Sequence, residues 1–67
     1  MMEARPNFNR GDRVCVREPG VGSWLGTVNG IKPGATGWRI EVCRDDSGIT
    51  WSLPAGMVRH EGVSRNE

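Results

Sequence analysis

Apolar residues alternate with polar ones in short runs along this chain, and each run ends at glycine or proline. In the first, Asp12 to Arg17, Val14 and Val16 fall on one side and Arg13, Cys15 and Arg17 on the other, the period of a half-buried strand. A turn follows at residues 18–23. Trp24 to Ile31 predicts a second strand with Trp24, Gly26 and Val28 on one face; Ile31 is out of phase, so a bulge at Gly30 is needed to bring it inward. After a loop over residues 32–37, Trp38, Ile40 and Val42 alternate with Arg39, Glu41 and Cys43. Asp45-Asp46-Ser47-Gly48 predicts a hairpin turn, since Asp supplies local hydrogen bonds and Gly supplies positive φ. Ile49, Trp51 and Leu53 form the inward face of a fourth strand, with Thr50 and Ser52 outside. Pro54 and Gly56 stop that strand in a single 3₁₀-like turn, and residues 58–61 return as a fifth. Residues 1–7 and 62–67 lack periodicity and read as frayed, disordered tails around a domain spanning 8–61.

Ten glycines and four prolines leave no stretch long enough for a helix of three turns. Five short strands in 67 residues are too few for a normal sandwich, and they predict an all-β, single five-stranded barrel with one 3₁₀ turn before the last strand. The pattern Gly11-Asp12-Arg13-Val14-x-Val16, Gly26-Thr27-Val28, Ile40-x-Val42, Gly48, Trp51 and Val58 resembles SH3-like barrels of the KOW and Tudor type. The segment Leu53-Pro54-Ala55-Gly56-Met57-Val58 looks like the turn before the last strand of such barrels. Peptide-binding SH3 domains use a Pro and a Tyr of this turn for a proline-rich ligand; Pro54 matches, but Met57 stands where the Tyr would be. The core expected from this arrangement is Val14, Val16, Val28, Trp38, Ile40, Val42, Trp51 and Val58.

Composition narrows the function. Nine basic and eight acidic residues leave a formal charge of +1, so no global field draws nucleic acid or an anionic membrane to the chain. Any electrostatic role belongs to a local patch. Eight of the nine basic residues are arginine, Lys32 being the exception, and arginine suits planar, bidentate recognition. Arg13, Arg17 and Arg39 are expected to point outward from neighbouring strands, with Arg44 and Arg59 nearby. This is the candidate nucleic-acid face, although cross-strand pairing with Glu18, Glu41 and Asp46 explains the same charges.

Catalysis needs a nucleophile with a base, paired carboxylates or a metal cluster. His60 is the lone histidine, Asp45 and Asp46 serve a turn, and Cys15 and Cys43 have no neighbours at metal-ligand spacing. The expectation is no enzyme, no cofactor and no metal. The polar N-terminal segment predicts no membrane association and a cytoplasmic protein with reduced thiols.

The leading expectation is therefore a small interaction module that binds an unidentified protein partner. Trp24, Val21 in the 18–23 loop, and Met57 are its candidate contacts, Trp24 being half-exposed. A marginal core and unpaired edges also predict a homodimer, with strand exchange as one route. The alternative is weak nucleic-acid binding through Arg13, Arg17, Arg39 and Arg44.

Overall fold

The computed structural model describes residues 4–62; most of the two segments read as tails lies outside the described residues. The chain folds into five antiparallel strands: β1 (Arg13–Glu18), β2 (Gly22–Gly34), β3 (Gly37–Arg44), β4 (Thr50–Pro54) and β5 (Val58–His60). One 3₁₀ turn, η1 (Ala55–Met57), separates the last two. Among the described residues no helix is long and apolar enough to cross a membrane.

The sheet order is β4-β3-β2-β1-β5, so the last two strands of the chain form its opposite edges. Flat, those edges would be about 19 Å apart, four spacings of ~4.8 Å. The 3₁₀ turn that joins them advances only ~2 Å per residue, so the sheet must coil. It does so with η1 seated against both β3 and β1. The coil stops short of the closed barrel expected from the strand count, because β4 and β5 do not pair with each other.

The concave side carries the core: Val14, Val16, Trp24, Val28, Ile40, Val42, Leu53 and Val58, with Phe8 from the segment before β1. Two close approaches shape it. Gly26 lies between Val14 of β1 and Arg44 of β3, where an added Cβ would stand 2.5 Å from the Cys43 carbonyl oxygen and 2.6 Å from Val42 Cγ1. The second is the bulge. Pairing shifts between Val28 and Gly30, after which Ile31 opposes Ile40 and is half-buried against the core, as the out-of-phase Ile31 required.

β2 runs past its expected end at Ile31 because Pro33 does not cost a ladder bond. Asp45 N–H donates to the Leu25 carbonyl (3.0 Å); with antiparallel alternation, this places the bonds between β2 and β3 at the odd-numbered residues of β3. Pro33 opposes Trp38, a position where its missing N–H would have pointed away from β3.

All three tryptophans depart from expectation. Trp51 opposes Val42 and so has the predicted face, yet it is 45% exposed. It stands on an edge strand of an unclosed sheet, and among the described residues nothing beyond β4 covers it. Ile49, in the turn before β4, is 55% exposed for the same reason. Trp24, expected to be half-exposed, is buried at 7%, because β2 is the central strand of the sheet and Trp24 opposes Val16 there. Trp38, near the open end of β3, is half-buried.

Candidate functional site

The convex side carries Arg13, Arg17, Arg39 and Arg59, and the structure sorts the arginines by partner. Arg13 reaches across β2: Nη1 donates to Thr27 Oγ1 and Asp45 Oδ1 (both 2.8 Å), and Nη2 to Asp45 Oδ2. Its Nε donates to Glu61 Oε1 at 3.3 Å. One guanidinium thus ties the residue after β5 to the β3–β4 turn. The fork of donors matches the carboxylate bidentately, holding the Asp45 carboxyl below its ordinary value through the Arg13 hydrogen bond and raising Arg13 in turn.

Arg39 lies along the opposite edge, where Nε donates to Ser52 Oγ (3.2 Å) and Nη2 to the Ser52 carbonyl (2.7 Å). Arg44 is on the concave side. Its guanidinium carbon sits 5.0 Å from the Trp24 ring centroid, a cation–π contact, while Nε donates to Asp46 at 2.8 Å. Lys32 pairs with Glu41 at 2.9 Å. Arg17 is exposed and, among the described residues, meets no carboxylate; Arg59 is the same. These two are diagonal neighbours on β1 and β5, since Arg59 opposes Cys15. Of the four arginines expected to form a basic face, three are therefore engaged within the fold and spread over both sides of the sheet. Arg17 remains open to solvent, next to Arg59.

The candidate protein contacts are also separated. Trp24 is sealed in the core, and its indole N–H donates to Glu18 Oε1 at 2.7 Å. Met57 is half-buried against the same core. Val21, at the tip of the β1–β2 hairpin, is 71% exposed. The exposed apolar side chains that do lie together are Ile49 and Trp51, two residues apart along the entry to β4.

The hydrogen-bond phase of β4 adds backbone to that patch. Arg44 N–H donates to the Ile49 carbonyl at 2.9 Å. Antiparallel alternation then makes Val42–Trp51 and Ile40–Leu53 the bonded pairs and turns the peptide groups of Thr50 and Ser52 away from β3. Those groups face the open side of the sheet, where the strand order ends. Thr50, Trp51 and Ser52 are all exposed.

A second cluster escaped sequence reasoning. The His60 ring stacks on Phe8 with centroids 4.5 Å apart, and Nε2 lies 2.7 Å from the Asn7 carbonyl. A carbonyl only accepts, so Nε2 carries the hydrogen. Nδ1 then faces Asp12 Oδ2 at 3.9 Å, and Asp12 accepts from the Asn9 N–H. The histidine is a packing element that pins residues 7–9 to β5. Cys15 and Cys43 are free, half-buried thiols on the convex side. Among the described residues no three His, Cys, Asp or Glu side chains are grouped to hold a metal ion.

Comparison with known proteins yields no matching family model, no matching curated protein and no matching solved structure.

Proposed function

We propose that this chain is a small, non-catalytic interaction module on an open SH3-like barrel, binding protein through the β4 edge with Trp51 and Ile49 as its apolar anchors. One observation carries the reading. In a domain with so little core to spend, a tryptophan and an isoleucine stay about half exposed beside two outward-facing peptide groups. Main-chain donors and acceptors on an edge supply affinity, and alternate side chains supply specificity. An indole is the side chain most often found at the energetic centre of a protein interface. The sheet order and the 3₁₀ turn between the outer strands support the SH3-like reading. Val21 can add to a contact only from the far hairpin tip, and Trp24 takes no part.

The test is a photo-crosslinking amino acid placed in turn at Ile49, Trp51 and, as control, the exposed Ala35 in the distant β2–β3 turn. Strong adducts from 49 and 51 with weak ones from 35 support the β4 edge; equal yields at all three positions reject it.

A second reading, weak nucleic-acid binding, draws on Arg17 and Arg59. Both lack a carboxylate among the described residues, and phosphate contacts need free guanidinium groups. Binding by this route weakens steeply with salt and is lost when both residues are replaced by Ala. Titration of single-stranded and duplex oligonucleotides, followed by anisotropy, decides it.

A further inference from the structure

Starting from the reading of β4 as the binding edge, we propose that its occupant is a second copy of this chain, paired antiparallel across a two-fold axis at Trp51. The edge is self-complementary. The outward peptide groups belong to Thr50 and Ser52, so a two-fold through Trp51 sets Thr50 against Ser52 of the other copy, twice. Each of these pairs exchanges two N–H···O bonds, four in all. Trp51 then meets Trp51 in the non-bonded position between them, where side chains approach most closely.

The faces match as well. On the concave side Ile49 comes opposite Leu53 and the two indoles touch. On the convex side the hydroxyls of Thr50 and Ser52 are cross-strand partners. Residues 49–54 carry no charged side chain, so the strand itself sets no like charges against each other. The cations a two-fold brings to the seam are the two Arg39 guanidiniums, each held on its own Ser52. Arg39 is the one obstacle, since it donates to the Ser52 carbonyl. That oxygen has two lone pairs and accepts a second donor without losing the first. Sheet edges are commonly guarded by charge or proline against such pairing; here Pro54 guards only the end of the strand, and Arg39 reaches over from β3.

The area sets the strength. A tryptophan side chain presents up to about 250 Å², so at 45% exposure Trp51 offers about 110 Å² per copy. With Ile49 the apolar patch on each copy is small and the contact rests on one pair of short edges, which places it in the weak, transient class below roughly 1,200 Å² of total buried surface. The pairing is therefore weak, with a dissociation constant on the order of 0.1–1 mM, so that monomer dominates at about 10 µM and dimer is substantial only near about 1 mM.

Sedimentation equilibrium from about 10 µM to 1 mM tests this on the wild type, Trp51→Lys and the control Val21→Lys at the exposed hairpin tip. An average mass rising above the 7.4 kDa of the monomer in wild type and Val21→Lys, but not in Trp51→Lys, is the expected result. Amide spectra that keep the Val14, Val16 and Ile40 shifts show that Trp51→Lys is folded. Isotope-filtered contacts between labelled and unlabelled copies fix the register, with Trp51 to Trp51 and Ile49 to Leu53 expected. A wild type still monomeric at 1 mM, or a Trp51→Lys chain that dimerises normally, overturns the proposal. If the chain is monomeric while crosslinks at 49 and 51 capture a different protein, self-pairing fails and the binding edge stands. If neither occurs, both fail.

Discussion

Adding one methyl group at Gly26 tests whether the coil of the sheet depends on close backbone approach. In Gly26→Ala the new Cβ would stand 2.5 Å from the Cys43 carbonyl oxygen and 2.6 Å from Val42 Cγ1, against about 3.5 Å or more for comfortable contact. Val42 is fully buried, and close-packed interiors leave little room for a side chain to turn. The carbonyl belongs to β3, whose ladder cannot shift at one residue alone. Relief requires β2 and β3 to separate locally. Overpacking of this kind costs about 1–3 kcal/mol, and a rigid backbone neighbour places Gly26→Ala in the upper half of that range. Opposing it is the entropy gained by removing glycine from the unfolded chain, about 0.4–1 kcal/mol. The net loss is about 1–2.5 kcal/mol, a large share of the ~3–10 kcal/mol available to a domain of this size. The melting temperature should fall by roughly 5–20 °C. Urea and thermal unfolding, followed by the fluorescence of the buried Trp24, measure it. A Gly26→Ala chain as stable as wild type, or more so, would refute the claim that β2 and β3 meet too closely for any side chain.

Three other perturbations probe the ties that hold the coil. Asp45→Asn removes the carboxylate that grips Arg13. Because folding lowers the Asp45 pKa, its contribution is complete above the ordinary carboxylate value near ~3.9. It vanishes as pH falls through the lower folded value, so urea midpoints of wild type and variant should differ at pH 6 and converge in acid; a gap that persists unchanged to the lowest pH would contradict it. Glu18→Ala leaves the Trp24 indole N–H without its acceptor inside the fold, costing about 1–3 kcal/mol, whereas Glu18→Gln keeps an acceptor oxygen and should cost less; equal stability of the two variants counts against the bond. Phe8→Ala removes a core side chain that also stacks on His60. With about 3–5 kcal/mol at stake, circular dichroism should show a chain largely unfolded near 37 °C, and a loss under about 1 kcal/mol would mean that residues before β1 are ornamental.

Period-two alternation told which way a side chain points but not how many strands lie beyond it. Val14, Val16, Ile40 and Val42 sit on strands with neighbours on both sides, so the right face meant full burial. Trp51 has the right face too, but its strand is an edge, and lateral position in a sheet is set by pairing that no local pattern records. Trp24 shows the converse: the start of a run in sequence became the middle of the sheet in space. The bulge at Gly30 was legible because Ile31 violated phase and only an extra residue could restore it. The convex placement of Arg13 and Arg39 was legible in the same way. Their partners were not, since Asp45 lies 32 residues from Arg13 and the pairing exists only once three strands are aligned. Phe8 fell outside any periodic run and His60 lay on a strand too short to show its facing, and their mutual stacking is a contact between the two ends of the domain.

The connectivity has a kinetic corollary. Four strands follow one another as a meander, each hairpin closing over a short span, whereas β5 must find β1 with Val14 opposite His60. Loop-closure entropy penalises that encounter alone. Until residues 58–60 dock, Val14 and Val16 lack their neighbour on one flank of the sheet. Pairing of β5 with β1 is therefore expected to form late, and substitutions at Val58 should speed unfolding more than they slow folding.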